Sequence, residues 1–465
     1  MAAQQRAADA AAEAFVDIKP LLNRLWPLPA TGAPSADDIA DAVALFFTNQ
    51  VSPVQAGALL MCLHFTGLDR QADVLAACAA RMRRAAARVD ADALRAVTAA
   101  APGLRRGQYR GGLCDIVGTG GDAHNTFNVS TAASILASAY LRLAKHGNRA
   151  STSKSGSADL LAHLPHSGGG GGGGNGPSTH GDTTQRQPGT IENESTDLVA
   201  NLHYVAPATL PRLYATTNYA FLFAPVFHPG MRHVAPIRRQ LPWRTLFNLL
   251  GPLANPVDVL EETATGSQKP SPLEARIIGV ARRELGPVFA EALRMAGTRK
   301  ALVVCGAEAL DEISIAGPTD CWWLHETADT AAAAGSGVVA VDHFQLTPAD
   351  FGVAAHPLSA VSPGQSAAAN AATMTGILRD ERPADDPLLS FVLINTAALL
   401  VVSGRCEPDD GGKEDASDVV TERGPGGGRW KEGVRLARAA IRSGEARRQW
   451  QRFVEATNEL PPAAV

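Results

Sequence analysis

Apolar residues recur at helical spacing through the first part of the chain, in residues 10–25, 36–49, 53–66 and 70–89. Ser35 with Asp38, and Ser52 with Gln55, have the spacing of capping boxes, which satisfy free backbone N–H groups where a helix begins. The pattern predicts a small all-helical subdomain over residues 1–108. Its polar residues cap helices and its apolar residues form a core, and none of them is a candidate for catalysis.

Beyond this subdomain, short apolar runs alternate with amphipathic segments, which is typical of an α/β domain. Strands are predicted at residues 113–117, 141–145, 220–223 and 300–305. Helices are predicted at residues 132–141, 158–164, 196–204, 207–218, 287–296, 363–378, 387–403 and 430–460. We therefore expect a larger α/β domain over residues 109–465, with a mostly parallel central sheet flanked by helices.

Three polar stretches interrupt this pattern, near residues 165–195, 261–272 and 407–429. The first contains Ser167 followed by seven glycines and then a polar run. Such segments bury too little apolar surface to become ordered. All three fall between predicted elements, so we interpret them as flexible surface insertions.

Composition describes an ordinary globular chain, with 465 residues, 45% hydrophobic content and a formal net charge of −4. This charge provides no basic field for nucleic acid. The six cysteines lack metal-site spacing, which favours reduced, buried thiols. No apolar run is long enough to span a membrane, and the N-terminus does not resemble a secretory signal. We expect a cytoplasmic protein without nucleic-acid or membrane partners.

The stretch from Asp115 to Thr131 is the first candidate for chemistry. A predicted strand leads into the turn Gly118–Asp122, and a helix follows with Ser130 or Thr131 as its N-cap. Backbone N–H groups and the positive end of a helix dipole then point at one place, which suits phosphate. The third glycine of a dinucleotide fingerprint and the lysine of a P-loop are missing, so a tight structural turn explains the pattern equally well.

A second loop follows the predicted strand 141–145. It runs from His146 to Ser157 and is rich in hydroxyl groups, small residues and cations. Loops at the carboxyl ends of neighbouring strands in an open α/β sheet face the same crevice. The two loops are therefore predicted to share one anionic ligand.

Ordered motifs carry a resemblance over most of the chain. They begin with Gly-Thr-Gly-Gly-Asp at residues 118–122 and continue at residues 128–131, 145–149, 154–159, 223–225, 228–231, 244–256 and 306–314. In this order they resemble the anthranilate phosphoribosyltransferase family. The resemblance implies transfer of a phosphoribosyl group from 5-phosphoribosyl diphosphate to the amine of anthranilate, in tryptophan biosynthesis. It also implies that about residues 228–250 return to the helical subdomain, and that this subdomain forms a homodimer contact.

Asp311 and Glu312 follow the strand predicted at residues 300–305. Adjacent carboxylates in a loop are usually solvated charges. Facing a diphosphate they suit Mg²⁺, which takes one or two carboxylates and completes its shell with substrate oxygens and water. The resemblance favours Mg²⁺, with Ser130, Asp311 and Glu312 as its ligands.

The resemblance implies further roles residue by residue. The phosphoribosyl diphosphate would be bound by Gly118, Gly121, Asp122, Thr126, Asn128, Val129, Ser130, Thr131, Lys145, Asn148, Ser151, Thr152, Ser153 and Ser157. Anthranilate would be bound by Gly118, Asn148 and Arg238, with the arginine fork pairing with its carboxylate. The catalytic set would be Asp122, Lys145, His146 and Arg238. For His146, polarising the amine and making a positional hydrogen bond are equally consistent with the sequence.

Two other functions remain compatible with parts of the pattern. Pyrimidine nucleoside phosphorylases share this architecture and a Lys-His-Gly-Asn-like loop, although the segment around Arg238 and the Asp311–Glu312 pair favour the diphosphate enzyme. A catalytically silent binding or scaffold relative is the third interpretation. No motif position has lost its chemical group, which argues against that interpretation.

Overall fold

The computed structural model describes residues 15–29, 31–98, 107–150, 156–166, 198–262, 268–327, 339–408 and 418–461. Within these ranges no helix combines the length and the apolar character needed to cross a bilayer. The first predicted insertion lies almost entirely outside them, as do predicted site residues Ser151–Ser153.

Helices form the N-terminal part of the described chain, and their apolar faces share a core with residues that come much later in the sequence. Val234, Leu246 and Phe247 are buried in the same cluster as the N-terminal helices. The helices are α1 (Lys19–Leu25), α2 (Ala36–Phe47), α3 (Pro53–Thr66), α4 (Ala72–Arg84) and α5 (Ala91–Val97). Two later helices join them, α10 (Met231–Arg239) and α11 (Phe247–Leu250). Residues 228–250 therefore contact the helical region; the boundary at residue 108 stays a prediction.

A seven-stranded mixed sheet forms the centre of the α/β region, in the order β3-β2-β1-β6-β7-β8-β9. The first five strands of this order run parallel, and the last two are antiparallel to their neighbours. The strands are β1 (Leu113–Gly118), β2 (Arg142–Gly147), β3 (Tyr219–Phe223), β6 (Leu273–Gly279), β7 (Ala301–Gly306), β8 (Thr319–Glu326) and β9 (Val339–Leu346). A separate antiparallel pair consists of β4 (Glu261–Glu262) and β5 (Gln268–Lys269).

Helices flank the sheet, and one of them forms the centre of the larger core. This is α14 (Pro387–Ser403), in which every residue after the proline is buried. The others are α6 (Val129–Ala137), α7 (Ser157–Leu161), α8 (Leu210–Thr216), α9 (Ala224–Phe227), α12 (Leu285–Met295), α13 (Ala367–Leu378), α15 (Trp430–Arg442) and α16 (Glu445–Glu459). The predicted fold class, a helical subdomain with a mostly parallel α/β domain, is confirmed.

Several local predictions were wrong. The helix after the glycine loop begins at Val129, with Asn128 at the N-cap position, because the hydroxyls of Ser130 and Thr131 bond to Glu312 and Ser157 instead. The segments predicted as helices at 196–204 and 207–218 contain two short 3-10 turns and only one α-helix, α8, within the described residues.

The two predicted capping boxes have different outcomes. Ser35 and Asp38 form the complete box that begins α2. Ser52 accepts a hydrogen bond from the backbone N–H of Gln55, but the Gln55 side chain accepts from the backbone N–H of Ile18 at 2.8 Å. Gln55 therefore fixes the preceding chain to α3 rather than closing the second box.

The described part of the predicted third insertion, residues 418–429, makes hydrogen bonds with the neighbouring chain. Arg429 donates hydrogen bonds to the carbonyl oxygens of Cys406 and Val420, and its side chain is buried. The indole N–H of Trp430 donates to the carbonyl of Pro425 at 2.9 Å. Polar groups of residues 418–429 and Trp430 therefore bond to backbone, and the flexibility of this insertion stays a prediction. Part of residues 261–272 forms the strand pair β4–β5.

Candidate active site

The glycine loop leaves the carboxyl end of β1 and is shaped by contacts that exclude side chains. A Cβ added to Gly118 would lie 2.3 Å from Oδ2 of Asp311. Gly121 has a φ of +73°, and a Cβ there would overlap the guanidinium of Arg244. Glycine is therefore required at both positions, and it brings this backbone close to the groups that surround it.

The described ends of the second loop, residues 146–150 and 156–157, lie beside the first loop. β1 and β2 are parallel neighbours, so both loops leave the same edge of the sheet. The hydroxyl of Thr131 in the first turn of α6 donates to the hydroxyl of Ser157, the first residue of α7, at 2.8 Å. The N-terminal ends of the two helices are thus held together at one edge of the sheet.

Three carboxyl groups meet at this edge. The backbone N–H of Gly120 donates to Oδ2 of Asp311 at 2.5 Å, and Asp311 also shares a hydrogen bond with Asp122. Burial and the nearby Asp122 raise the pKa of Asp311 to about 7. Desolvation and the neighbouring Asp311 raise the pKa of Glu312 well above its ordinary value, while the Ser130 hydroxyl hydrogen-bonds to Glu312.

This set of side chains fits a hard divalent cation. Asp122, Asp311, Glu312 and Ser130 offer only oxygen atoms. Burial and then the neighbouring carboxyl groups raise the pKa values of Asp311 and Glu312, and a positive ion would offset both effects. Among the described residues, no three His, Cys, Asp or Glu side chains form a ready-made metal cage. Mg²⁺ does not need such a cage, because it keeps waters and substrate oxygens in its shell.

Lys145 is buried in β2, with only 2% of its residue exposed. Its ammonium donates to the carbonyl of Ile116 at 2.7 Å. Burial lowers its pKa, while Asp115 and Glu312 raise it. Asp115 in turn accepts from the amide of Asn255 at 2.9 Å. This position makes Lys145 a counter-ion for buried carboxylates, and its direct contact with a substrate stays a prediction.

His146 and His228 form a buried pair, with ring centroids 5.1 Å apart. Burial lowers the pKa of His146 well below its usual value, and burial lowers that of His228 to about 4. The Nε2 atom of each ring is buried without a hydrogen-bond partner. The two imidazoles are therefore neutral, and each has a buried Nε2 atom without a hydrogen-bond partner in the described chain. His146 lies at the carboxyl end of β2.

Two arginines of the returning segment stand near the loops. Arg244 donates to the carbonyl oxygens of Thr119, at 2.8 Å, and Gly120. Arg238 has no carboxylate partner within the described parts of the chain. Burial, and then the positive charge of Arg244, lower the pKa of Arg238. Arg238 is thus a half-buried cation without a carboxylate partner in the described chain, and it lies close to Arg244, which bonds to the glycine loop.

The remaining predicted site residues make fewer contacts. The Asn128 side-chain oxygen accepts from Asn370 at 3.3 Å. Asn148 is exposed on the second loop, where its side-chain oxygen accepts from the backbone N–H of Arg149 at 2.8 Å. Val129 is buried in the first turn of α6, and Thr126 is half-buried in the glycine loop. Their contacts with substrate stay predictions, as do those of Ser151–Ser153.

Comparisons with known proteins agree with this arrangement. Residues 110–167 and 197–447 match the model of the glycosyl transferase family a/b domain, and residues 19–86 match its helical bundle domain. A Schizosaccharomyces pombe anthranilate phosphoribosyltransferase is 35% identical over 413 residues, covering 89% of this chain and 90% of that protein. The chain belongs to the anthranilate phosphoribosyltransferase family.

Solved structures of the family have the same overall fold. The Saccharomyces cerevisiae enzyme in complex with PRPP and Mg has a TM-score of 0.68 and 28% identity, covering 96% of this chain and 99% of that chain. The Thermus thermophilus enzyme has a TM-score of 0.64 and 29% identity, covering 94% and 99%. The resemblance found in the sequence is therefore confirmed.

Sequence reasoning assigned no role to three polar residues that shape this site. Arg244 holds the glycine loop, Asn255 bonds to Asp115, and Asn395 bonds to the backbone of Ile313. Arg244 and Asn255 lie inside a motif that the resemblance already used, so their position in it was a usable signal. An asparagine inside the apolar sequence of α14 was a second signal, since a buried amide requires hydrogen-bond partners.

Proposed function

We propose that this protein transfers the phosphoribosyl group of 5-phosphoribosyl diphosphate to the amine of anthranilate and releases diphosphate, as in tryptophan biosynthesis. The observation that carries the proposal is the convergence of the glycine loop with the Asp311–Glu312 pair and the start of α6. Membership of the anthranilate phosphoribosyltransferase family supports the identity of the two substrates.

In the proposed reaction the bond between C1 of the ribose and the diphosphate oxygen breaks, and a bond from C1 to the amine nitrogen forms. The nitrogen then loses a proton. Charge accumulates on the leaving diphosphate, so groups that neutralise it in the transition state accelerate the reaction. The backbone N–H groups of the glycine loop and of the first turn of α6 are suited to this task.

The carboxylates next to the glycine loop would hold Mg²⁺. We assign Asp311, Glu312 and the Ser130 hydroxyl to this role, and Asp122 lies within hydrogen-bonding distance of Asp311. When bound, Mg²⁺ neutralises charge on the diphosphate oxygens. Lys145 would balance the same carboxylates from below, since it is buried beside Asp115 and Glu312.

The aromatic amine has to be held in line with the breaking bond, which is mainly a matter of orientation. Arg238 is the proposed partner of the anthranilate carboxylate, because its fork is half-buried and has no carboxylate of its own in the described chain. Gly118 and Asn148 complete the proposed anthranilate site. His146 stays neutral, so it can accept a hydrogen bond from the amine but adds no positive charge.

We also propose that the protein is a homodimer through its helical subdomain. Val54, Met61 and Phe65 lie on one face of α3 and are 82%, 41% and 60% exposed. Trp26, just after α1, is 64% exposed. A stripe of large apolar residues of this kind typically marks a protein interface. A second copy of the chain would cover it.

The cytoplasm is the proposed location, which is consistent with six free cysteines.

The decisive assay follows anthranilate fluorescence in the presence of purified protein. The proposal predicts a loss of fluorescence that requires both 5-phosphoribosyl diphosphate and Mg²⁺, with one diphosphate released per anthranilate consumed. A parallel reaction supplies thymidine or uridine with phosphate. Phosphorolysis there, without consumption of anthranilate, would contradict the proposal and identify a pyrimidine nucleoside phosphorylase.

A further inference from the structure

Asn395 forms an unusual contact in the buried helix α14. Its side-chain oxygen accepts from the backbone N–H of Ile313 at 3.1 Å, and its side-chain N–H group donates to the carbonyl oxygen of the same residue at 3.1 Å. The same amide also donates to the carbonyl of Phe391, one helical turn earlier, at 3.0 Å. One side chain therefore satisfies both backbone polar groups of Ile313.

The residue that Asn395 holds is the one directly after the acid pair. Ile313 is 1% exposed, so water cannot replace the side chain as a partner for its backbone. No strand pairing covers this position, because β7 ends at Gly306 and β8 begins at Thr319. The position of the turn that carries Asp311 and Glu312 thus depends on a side chain of a distant helix.

The rest of the loop is fixed at other points. The Gly306 N–H donates to the carbonyl of Leu310 at 2.8 Å, before the acid pair. The Ser314 N–H donates to the hydroxyl of Thr319 at 2.9 Å, after it. Between these two anchors, Asn395 bonds to the backbone of Ile313, whereas the Gly120 N–H and the Ser130 hydroxyl bond to the carboxylate side chains themselves. A rotation of the Ile313 backbone would move Glu312, whose peptide group it shares.

We infer that Asn395 is a positioning residue that sets the Asp311–Glu312 carboxylates for binding the metal-diphosphate group. This inference rests on the proposed function and adds a residue that touches neither substrate. The helix supplies rigidity, since every residue of α14 after Pro387 is buried. Removing the Asn395 amide would leave both carboxylates present, but their orientation would no longer be fixed.

The test compares Asn395→Leu, which keeps the branched shape and loses all three hydrogen bonds, with the neighbouring Thr396→Val. Thr396 is equally buried and uses its hydroxyl only within the helix, on the carbonyl of Val392. Thr396→Val therefore reproduces the loss of a buried hydrogen bond without touching Ile313. Asn395→Ser is the substitute if the leucine variant does not fold.

Two readouts are independent of turnover. Hydrogen exchange measured by mass spectrometry should show faster exchange of a peptide spanning residues 309–316 in Asn395→Leu, and unchanged exchange in Thr396→Val. Calorimetric titration with inorganic diphosphate in the presence of Mg²⁺ should show binding weakened by about tenfold or more in Asn395→Leu alone. The apparent KM for anthranilate should stay within about twofold of the wild-type value.

Equal diphosphate affinity in wild type and Asn395→Leu, with the loop peptide exchanging faster, would overturn the inference, because the contact would then be structural only. Equal weakening in Asn395→Leu and Thr396→Val would overturn it as well. Absence of anthranilate consumption by the wild-type protein is a different result. It contradicts the proposed function, whereas the diphosphate titration still reports on Asn395.

Discussion

Arg238 illustrates how the chemistry of this site depends on single side chains. Its guanidinium is partly removed from water, stands near a second arginine and has no carboxylate in the described chain to neutralise it. A protein tolerates such a cation where a ligand supplies the missing charge. The planar fork suits a carboxylate, which anthranilate carries.

Replacing Arg238 with lysine should separate binding of the two substrates. Lysine keeps the charge but loses the paired N–H groups, so the apparent KM for anthranilate should rise about tenfold, roughly 1.4 kcal/mol. The KM for 5-phosphoribosyl diphosphate should change by less than about threefold. Arg239→Lys, at the exposed neighbouring position, is the matched control. Equal increases in both KM values would show that Arg238 does not bind the carboxylate.

Burial of His228 makes the stability of the fold depend on pH. Burial depresses its folded pKa to about 4, below the ordinary value near 6.5, so its stabilising contribution is complete above pH 6.5 and is lost as pH falls towards 4. Asp311 acts in the opposite direction, since its folded pKa is raised, and the wild-type profile alone therefore mixes the two effects.

The difference between wild type and His228→Asn reports the contribution of His228 together with its effect on the pKa of the neighbouring His146. Asparagine can keep a donor for the carbonyl of Ala254 but does not titrate. Between pH 7 and pH 4, the free energy of unfolding of the wild type should fall relative to that of the variant by at most about 3 kcal/mol. Chemical denaturation at several pH values measures this. Parallel curves would mean that His228 is not held neutral by burial.

At the scale of elements, the site is made where the ends of parallel strands meet. The close approach of β1 and the loop after β7 leaves no space for a side chain at Gly118. The carboxylate of Asp311 fills that space and accepts from the Gly120 N–H. The spacing between two strand ends therefore determines where the acid pair stands relative to the glycine loop.

Gly118→Ala should disturb this spacing with little change elsewhere. The new methyl group would displace the Asp311 carboxylate, so kcat/KM should fall by about a hundredfold or more. Gly376→Ala, in α13, meets its nearest neighbouring atom at 3.7 Å and should leave activity unchanged. Steady-state kinetics and melting curves of both variants provide the comparison. Full activity of Gly118→Ala would show that the loop and the acid pair are not in close contact.

The elements that sequence patterns predicted best are strands with short, continuous apolar runs. β1, β2, β3 and β7 were each placed within about two residues, because burial on both faces of a parallel sheet demands such runs. β6 was missed, although it is central, because Glu274 and Arg276 interrupt it. These charges are neutralised by Lys300 and Asp258, partners that lie far along the chain.

Contacts between residues that are distant in sequence were also the part of the candidate site that could not be predicted. Motifs predicted the glycine loop and the acid pair because their chemistry lies in consecutive residues. The burial of Lys145, the pairing of His146 with His228 and the position of Arg244 depend on how distant segments approach one another. The antiparallel strands β8 and β9 were missed because polar residues within them, such as Asp320 in β8 and Asp342 in β9, weaken the apolar signal.

At the scale of the whole molecule, the helical subdomain presents one apolar face that the described chain does not cover. Met61 and Phe65 are exposed on this face of α3, and the Phe65 ring also contacts Trp243 at a centroid distance of 5.3 Å. Met61→Lys with Phe65→Glu should convert the proposed dimer to monomers, because charged side chains cannot be buried against a second copy. Sedimentation velocity measures the mass, and Leu198→Glu, an exposed apolar position outside α3, is the control. A wild type that sediments as a monomer at micromolar concentration would contradict the dimer.

The central claim is that the acid pair and the glycine loop together bind the diphosphate group that leaves. The most direct measurement is the rate of anthranilate consumption against Mg²⁺ concentration, in the wild type and in Asp311→Asn with Glu312→Gln. These changes keep size and polarity while removing two negative charges from the proposed metal site. The Mg²⁺ concentration for half-maximal rate should rise about tenfold or more, and kcat should fall, while anthranilate binding stays unchanged. Superimposable Mg²⁺ curves would show that the two carboxylates are only loop charges.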